Sequence, residues 1–250
     1  MSRRRFYASP DDITGSAITL SPDETHHLVR VLRMTPGEDA FVFDGRGREY
    51  KCVFRAVQGD RARLDVQHEL DESVESPLRI TLAQGLAKGE KFDFIVQKAT
   101  ELGVVSIAPL ITRYSEVRFA EQPAAKRLER WRRISLEALK QCGRRRLVEI
   151  ECPCTLSEFL AAETLSSDRI LLVFNERGGA PVAQALAGIS TSAAIIAIIG
   201  PEGGWSDLEL ELLTQSGSVF VTLGRRVLRT ETAAIVALTL IQHLVGDLSV

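Results

Sequence analysis

Apolar residues recur along this chain with two different periods, and the change falls near residue 70. Before it the pattern is that of short strands. Phe41-Val-Phe43 leads into the turn Asp44-Gly-Arg-Gly47, Tyr50–Phe54 follows, and Ala62-Arg-Leu-Asp-Val66 alternates apolar and polar as a half-buried strand does. One helix is expected over Pro22–Leu32, because Ser21 with Glu24 three residues on has the spacing of a capping box. A small β-barrel domain over 1–70 is the expected product. Asp71–Pro77 is acidic and polar and ends in proline, so it reads as a linker.

From Leu78 to the end the pattern alternates strand and helix. Strands are expected at Leu78–Ala83, Val104–Ile111, Arg169–Phe174, Ala193–Ile199 and Ser218–Leu223. Between them, Glu90–Leu102 sets Phe92, Ile95, Ala99 and Leu102 on one stripe and stops at Gly103. A second helix spans Ala124–Cys142. A third starts at Ser206, with Glu209 completing a capping box, and ends at Gly217. This alternation predicts an α/β domain over 78–250 with a mainly parallel sheet. The last helix, Thr232–Val245, is apolar around nearly its whole circumference and so requires cover on all sides. A subunit interface or a deep place in its own core would each supply it.

Composition narrows the class without naming a function. The 250 residues are 45% hydrophobic and 26% charged, enough apolar surface for a folded core, so disorder is excluded for most of the length. No apolar run reaches the ~18 residues of a membrane span. Phe6–Asp12 is polar and holds Pro10, so no signal-peptide core follows the basic Met1–Arg5. Cys52, Cys142, Cys152 and Cys154 lack the spacing of a zinc or thioredoxin motif, and free thiols in a cytoplasmic protein are expected. The net charge of −2 hides a basic block: residues 113–146 hold eleven Lys/Arg, among them Arg113 and Arg118, against four acids. Such a stripe is either a polyanion-binding surface or a solvated helix face laced with ion pairs.

Chemistry is expected beyond the carboxyl ends of the strands. Three such loops are rich in glycine or charge: Asn175-Glu-Arg-Gly-Gly179, Gly200-Pro-Glu-Gly-Gly204, and Gly224-Arg-Arg-Val-Leu-Arg229-Thr-Glu231. Without Cβ atoms the second can wrap closely around a small ligand or form a plain tight turn. It is neither a dinucleotide fingerprint nor a P-loop. At the head of the last helix, Thr230 suits a cap and Glu231 suits the helix dipole, whereas Arg229 opposes that dipole unless an anion faces it. His26, His27, His68 and His243 lack metal-ligand spacing, and no nucleophile elbow is present, so neither metal nor covalent catalysis is expected.

Ile199-Gly-Pro-Glu-Gly-Gly204 and Leu223-Gly-Arg-Arg-Val-Leu-Arg-Thr-Glu-Thr-Ala233 resemble the two signature loops of the RsmE family, 16S ribosomal RNA (uracil N3)-methyltransferases of the SPOUT superfamily. Arg5-Phe-Tyr7, His26–Arg33 with Gly37, Phe43-Asp-Gly45, Lys88-Gly-Glu-Lys91, Gln97–Val104 and Ile107-Ala-Pro109 match other family blocks in the same order. Where that family has Gln-Ser-Gly-Arg and then Val-Pro, this chain has Gln141-Cys-Gly-Arg144 and Leu147-Val148.

The resemblance implies a PUA-like β-barrel followed by a SPOUT α/β trefoil-knot domain, a homodimer, and 16S rRNA or the small ribosomal subunit as partner. It implies S-adenosyl-L-methionine held by Val173, Phe174, Ile199, Gly200, Pro201, Glu202, Gly203, Gly204, Leu223, Gly224, Val227, Leu228 and Thr230. Arg229 would stabilise charge on the uracil, with Glu231 as proton acceptor or as the group orienting Arg229. RNA contacts are expected at Arg3, Arg4, Arg5, Arg30, Arg33, Lys88, Lys98, Arg113, Gln141, Arg144, Arg145 and Arg146. Two alternatives stay open: a SPOUT enzyme acting on transfer or other RNA, and a non-enzymatic RNA-binding protein with a degenerate cofactor pocket.

Overall fold

The computed structural model describes residues 3–72, 74–115, 124–163, 169–189 and 193–248. By its contacts the chain divides into two units, one of residues 1–75 with 139–147 and one of residues 76–138 with 148–250.

The first unit carries β1 (Arg5–Tyr7), β2 (Ile13–Thr14), β3 (Ala17–Thr19), α1 (Pro22–His26), β4 (Asp39–Phe43), β5 (Glu49–Gln58) and β6 (Arg61–Glu69). Its six strands form one sheet in the order β1-β4-β5-β6-β3-β2, parallel only between β1 and β4. The expected barrel is therefore an open half-barrel, with β1 and β2 at its edges among the described residues. Register shifts in β5 at Lys51/Cys52 and Phe54/Ala56 curl the sheet. Gly59, at φ 66, starts the two-residue turn between β5 and β6, where a side chain would be strained. Phe6, Ile18, Leu20, Leu28, Val42, Phe54 and Leu64 fill the concave side. The Ser21 hydroxyl accepts from the Glu24 N–H as expected, but the Glu24 carboxylate pairs with Lys140. The helix is also shorter than the pattern predicted, and His27–Val31 widens into a π-type turn.

Residues 139–147, which the sequence pattern groups with the second domain, are held to the first unit by buried charges. Arg5 donates to the carbonyls of Leu139 (2.6 Å) and Arg144 (2.9 Å). Glu49 takes Arg5 Nε on one oxygen at 2.6 Å and Arg145 Nε on the other at 3.1 Å. Glu75, in the expected linker, accepts from Arg144 and from the backbone N–H groups of Arg145 and Arg146.

The second unit carries β7 (Arg79–Gly85), α2 (Lys91–Glu101), β8 (Ser106–Ile111), α3 (Ala124–Cys142, whose last turn belongs to the first unit), β9 (Glu149–Ile150), β10 (Cys154–Thr155) and α4 (Leu156–Glu163). There follow β11 (Arg169–Phe174), β12 (Ala180–Pro181), α5 (Val182–Ala185), β13 (Ala194–Ile199), α6 (Asp207–Gln215), β14 (Val219–Thr222) and α7 (Thr230–Val245). The sheet is parallel in all its pairings and runs β10-β8-β7-β13-β11-β14-β12, with β9 also on β8. All five expected strands are present: Arg169–Phe174 as expected, the first shifted to Arg79–Gly85, and the other three shorter by one or two residues; β9, β10 and β12 are too short to leave a periodic signal.

Both faces of this sheet are covered, which is why β13 is apolar at every position. Leu82, Leu172, Phe174, Ile195, Ala197 and Ile199 pack against α2, α3 and α7. Ala83, Val173, Ile196 and Ile198 pack against α4 and α6. Helix α7 begins two residues before the predicted start. It buries Ala234, Ala237, Leu238 and Ile241 in its own unit and leaves Leu244 exposed.

Candidate active site

Register places the site. Gln84 of β7 pairs with Ile199 of β13, Ile199 with Phe174 of β11, and Phe174 with Val221 of β14. Four strands thus end side by side, and the loops after three of them surround a cavity of about 380 Å³. It is lined by Phe174-Asn-Glu176, Ile199–Gly204, Thr222-Leu-Gly224, Arg226–Thr230, Lys91 and Ala233.

The loops need glycine for different reasons. A Cβ on Gly85 would lie 2.5 Å from the Pro201 nitrogen, so the end of β7 and the Gly200–Gly204 loop can touch only without one. On Gly203 it would lie 2.6 Å from the Tyr114 Cβ. At Gly224 space is open but φ is 105, which side chains rarely adopt. The Ser206–Glu209 capping box then closes the loop into α6.

Charge around the cavity is uneven. Glu202 accepts from Lys91 Nζ at 3.0 Å and from the Lys88 N–H at 3.2 Å. Burial alone would raise its carboxyl pKa; these hydrogen bonds outweigh burial and hold it below the usual carboxylate range. Among the described residues no carboxylate pairs with Arg226 or Arg229. Arg229, not Thr230, is the N-cap of α7, with extended backbone and no capping side chain. The Thr230 hydroxyl donates instead to the Gly200 carbonyl at 2.6 Å. Glu231, in the first turn of α7, lies outside the cavity lining; its Oε2 is buried with no hydrogen-bond partner among the described residues.

An RNA methyltransferase domain model matches residues 74–242, and an RNA methyltransferase PUA domain model matches residues 20–67. The chain is 36% identical to the ribosomal RNA small subunit methyltransferase E of Synechocystis over 96% of its own length and 77% of that protein's. The chain belongs to this RNA methyltransferase family. Its fold is the α/β methyltransferase fold with an N-terminal PUA domain. A crystal structure of ribosomal RNA small subunit methyltransferase E from Neisseria gonorrhoeae, bound to S-adenosyl methionine, is 35% identical with a TM-score of 0.88, covering 99% of this chain and 100% of that one. A Legionella pneumophila methyltransferase, in complex with the same cofactor, is 34% identical with a TM-score of 0.90 over 99% and 100%.

Within the family fold, the two signature loops supply most of the cavity wall. Val173 does not line it: side chains alternate along β11, so Phe174 faces the α7 side while Val173 is buried on the α4 and α6 side. Lys91, Asn175, Glu176, Thr222, Arg226 and Ala233 line it without having been among the residues expected to hold the cofactor. The Asn175 loop and the Arg225-Arg226 pair were visible as loop chemistry, whereas Lys91 opens a helix and only tertiary contact brings it to the site.

The expected RNA-contact residues differ in how far their side chains are already engaged. Arg5, Arg144 and Arg145 are buried in the ion-pair cluster of the first unit, so their charges are already spent. Arg4 pairs with Glu38 and Lys98 with Glu101. Arg3 lies over the Phe41 ring, 5.1 Å from its centroid. Arg30, Arg33, Lys88, Arg113, Gln141 and Arg146 are exposed. Arg33 has a left-handed φ of 52 at the end of the π-type turn. Arg118 of the basic block lies outside the described residues. Among the described residues no cluster of His, Cys, Asp or Glu could hold a metal ion, and no helix is long and apolar enough to cross a membrane.

Proposed function

We propose that this protein methylates N3 of a uridine in 16S ribosomal RNA with S-adenosyl-L-methionine, working in the cytoplasm as a homodimer. The observation that carries the reading is the cavity, walled by three strand-end loops and edged by Arg226 and Arg229, with which no carboxylate pairs among the described residues. Its make-up fits the cofactor. Phe174, Ile199, Leu223, Val227, Leu228 and Ala233 offer apolar walls for a flat base. Gly200, Gly203, Gly204 and Gly224 let backbone approach closely, and the Thr230 hydroxyl is bonded to the Gly200 carbonyl. When bound, S-adenosyl-L-methionine supplies a methyl group already activated by its positive sulfur.

The chain's own task is to make a uridine nitrogen reactive. Neutral N3 is a poor nucleophile, and losing its proton places negative charge on the uracil oxygens. Arg229, exposed at the cavity edge and without a carboxylate partner among the described residues, is placed to stabilise that charge. Glu231, between the lining residues Thr230 and Ala233, has a carboxylate oxygen with no hydrogen-bond partner among the described residues and is the proton acceptor in this proposal. N3 lies on the pairing edge, so the uridine must be unpaired or flipped out to reach the site. Arg3, Arg30, Arg33, Lys88, Arg113, Gln141 and Arg146 are the RNA-facing candidates that are not buried in structural ion pairs.

Incubation with 16S ribosomal RNA or the small subunit and cofactor, followed by nucleoside mass spectrometry, tests the reaction. One uridine should become N3-methylated. Methylation only of transfer RNA, or at another atom, would displace the reading. On the binding side, Arg30→Ala with Arg33→Ala should weaken RNA affinity and flatten its salt dependence, since each lost phosphate contact lowers the slope by roughly one. The same change should leave cofactor affinity alone.

A further inference from the structure

Behind the cavity lining, bonded to the lining residues Gly200 and Thr230, lies a polar side chain where the strand pattern calls for an apolar one. Gln84 is fully buried near the end of β7, after the buried pair Leu82-Ala83. Its amide orientation is fixed by its surroundings. Nε2 lies 2.9 Å from the Gly85 carbonyl and 3.4 Å from the Gly200 carbonyl, both acceptors, so this end of the amide must be the NH2 group. Nε2 also lies 2.9 Å from Thr230 Oγ1.

Proton accounting gives these contacts a direction. The single Thr230 hydroxyl proton goes to the Gly200 carbonyl at 2.6 Å, so Thr230 Oγ1 accepts from Gln84. The chain runs Gln84 N–H to Thr230 O–H to Gly200 carbonyl. It ties together the end of β7, the glycine loop after β13 and the first residue of α7. Those last two elements both line the cavity. Gln84 Oε1, by contrast, has no hydrogen-bond partner among the described residues. Burying an unsatisfied amide oxygen is unfavourable, so the residue is not explained by local stability.

We propose that Gln84 is a positioning residue for the cofactor: through Thr230 it locks the Gly200–Gly204 loop to the start of α7, presetting the gap between them before the ligand arrives. The proposal rests on the reading of the cavity as the S-adenosyl-L-methionine site. A preset gap spares the ordering of two loops at binding, so its loss appears as weaker affinity. Thr230 makes the bond to the loop and Gln84 holds the hydroxyl that makes it, so removing either side chain weakens the same link.

The test is calorimetric titration of S-adenosyl-L-methionine into the full-length protein and its variants. Gln84→Leu and Thr230→Val should each weaken binding about tenfold. The double variant should bind no more weakly than either single one, and Thr230→Ser, which keeps the hydroxyl, should stay within about threefold of the parent. If Gln84→Leu does not fold, the Thr230→Val and Thr230→Ser pair decides. A merely structural role would lower the ligand-free melting temperature and leave affinity unchanged. Unchanged affinity in Thr230→Val, equal losses in the Val and Ser variants, or losses that multiply in the double variant would overturn the proposal. A parent protein that binds no cofactor would overturn the reading of the cavity itself, whereas a parent that binds alongside variants that bind as well overturns the positioning role alone.

Discussion

Arg229 shows how position converts a charge into chemistry. It caps the N-terminus of α7, where the helix dipole disfavours a cation, and among the described residues no carboxylate offsets it. A residue kept there against local electrostatics is expected to act on something bound. Arg229→Ala should fold and bind S-adenosyl-L-methionine, yet methylate at least ~100-fold more slowly in single-turnover assays with saturating RNA and cofactor. A rate within a few-fold of the parent would remove it from the mechanism. Arg5 and Arg145 illustrate the reverse case. In sequence they look like phosphate ligands, but both lie on Glu49, whose side chain is 2% exposed. Glu49→Gln would leave two buried guanidinium groups without their charge partner. It should cost about 3–5 kcal/mol in denaturant unfolding, the scale of breaking a buried pair. A loss below ~1 kcal/mol would mean that the cluster is solvated.

At the scale of elements, the two signature loops depend on glycine in distinguishable ways. Gly203 is held by contact: Gly203→Val must displace the Tyr114 side chain and should disturb the Gly200–Gly204 loop even without ligand. Gly224 is held by conformation alone, at φ 105 in open space. Gly224→Ala should therefore cost roughly 1 kcal/mol or more in stability through strain, with little change in packing. Thermal melts of both ligand-free variants, with cofactor titrations beside them, separate the two effects. Equal stability of Gly224→Ala and parent would show that the loop relaxes into another conformation. The capping box at Ser206–Glu209 and the stop at Gly103 were legible in the sequence, because capping is a local hydrogen-bond problem with local solutions. The start of α7 was not: Thr230 has the right residue type for a cap, but Gln84 and the Gly200 carbonyl claim its hydroxyl from across the sheet.

For the whole molecule, the open question posed by the pattern was what covers the apolar last helix. Part of the answer lies within one chain, since Ala234, Ala237, Leu238 and Ile241 are buried in their own unit. A charge at Ile241 would therefore damage the fold itself and reveal nothing about assembly. The exposed side, with Leu244 at 40% and Leu248 at 42%, is where a second protomer would sit. Sedimentation should show a dimer at micromolar concentration, and Leu244→Glu should shift it toward monomer with its melting transition still cooperative. A monomeric parent would refute the proposed assembly.

What the sequence determined by itself was whatever nearest neighbours and periodicity enforce: two halves of different architecture, the five main strands, the three amphipathic helices and the glycine-rich strand ends. These follow from side-chain alternation, capping and backbone freedom, which act over a few residues. Only the tertiary structure decided which charges are available. Arg144, Arg145 and Arg146 are consecutive and chemically identical, yet the first two are buried on Glu75 and Glu49 and the third is exposed. It also decided that Val173 turns away from the cavity its neighbour lines, and that the buried Gln84 of β7 is bonded to the first residue of α7 beside the Gly200 loop. Partners separated by 146 residues, as Gln84 and Thr230 are, leave no periodic trace, because their meeting is fixed by strand register and not by spacing along the chain.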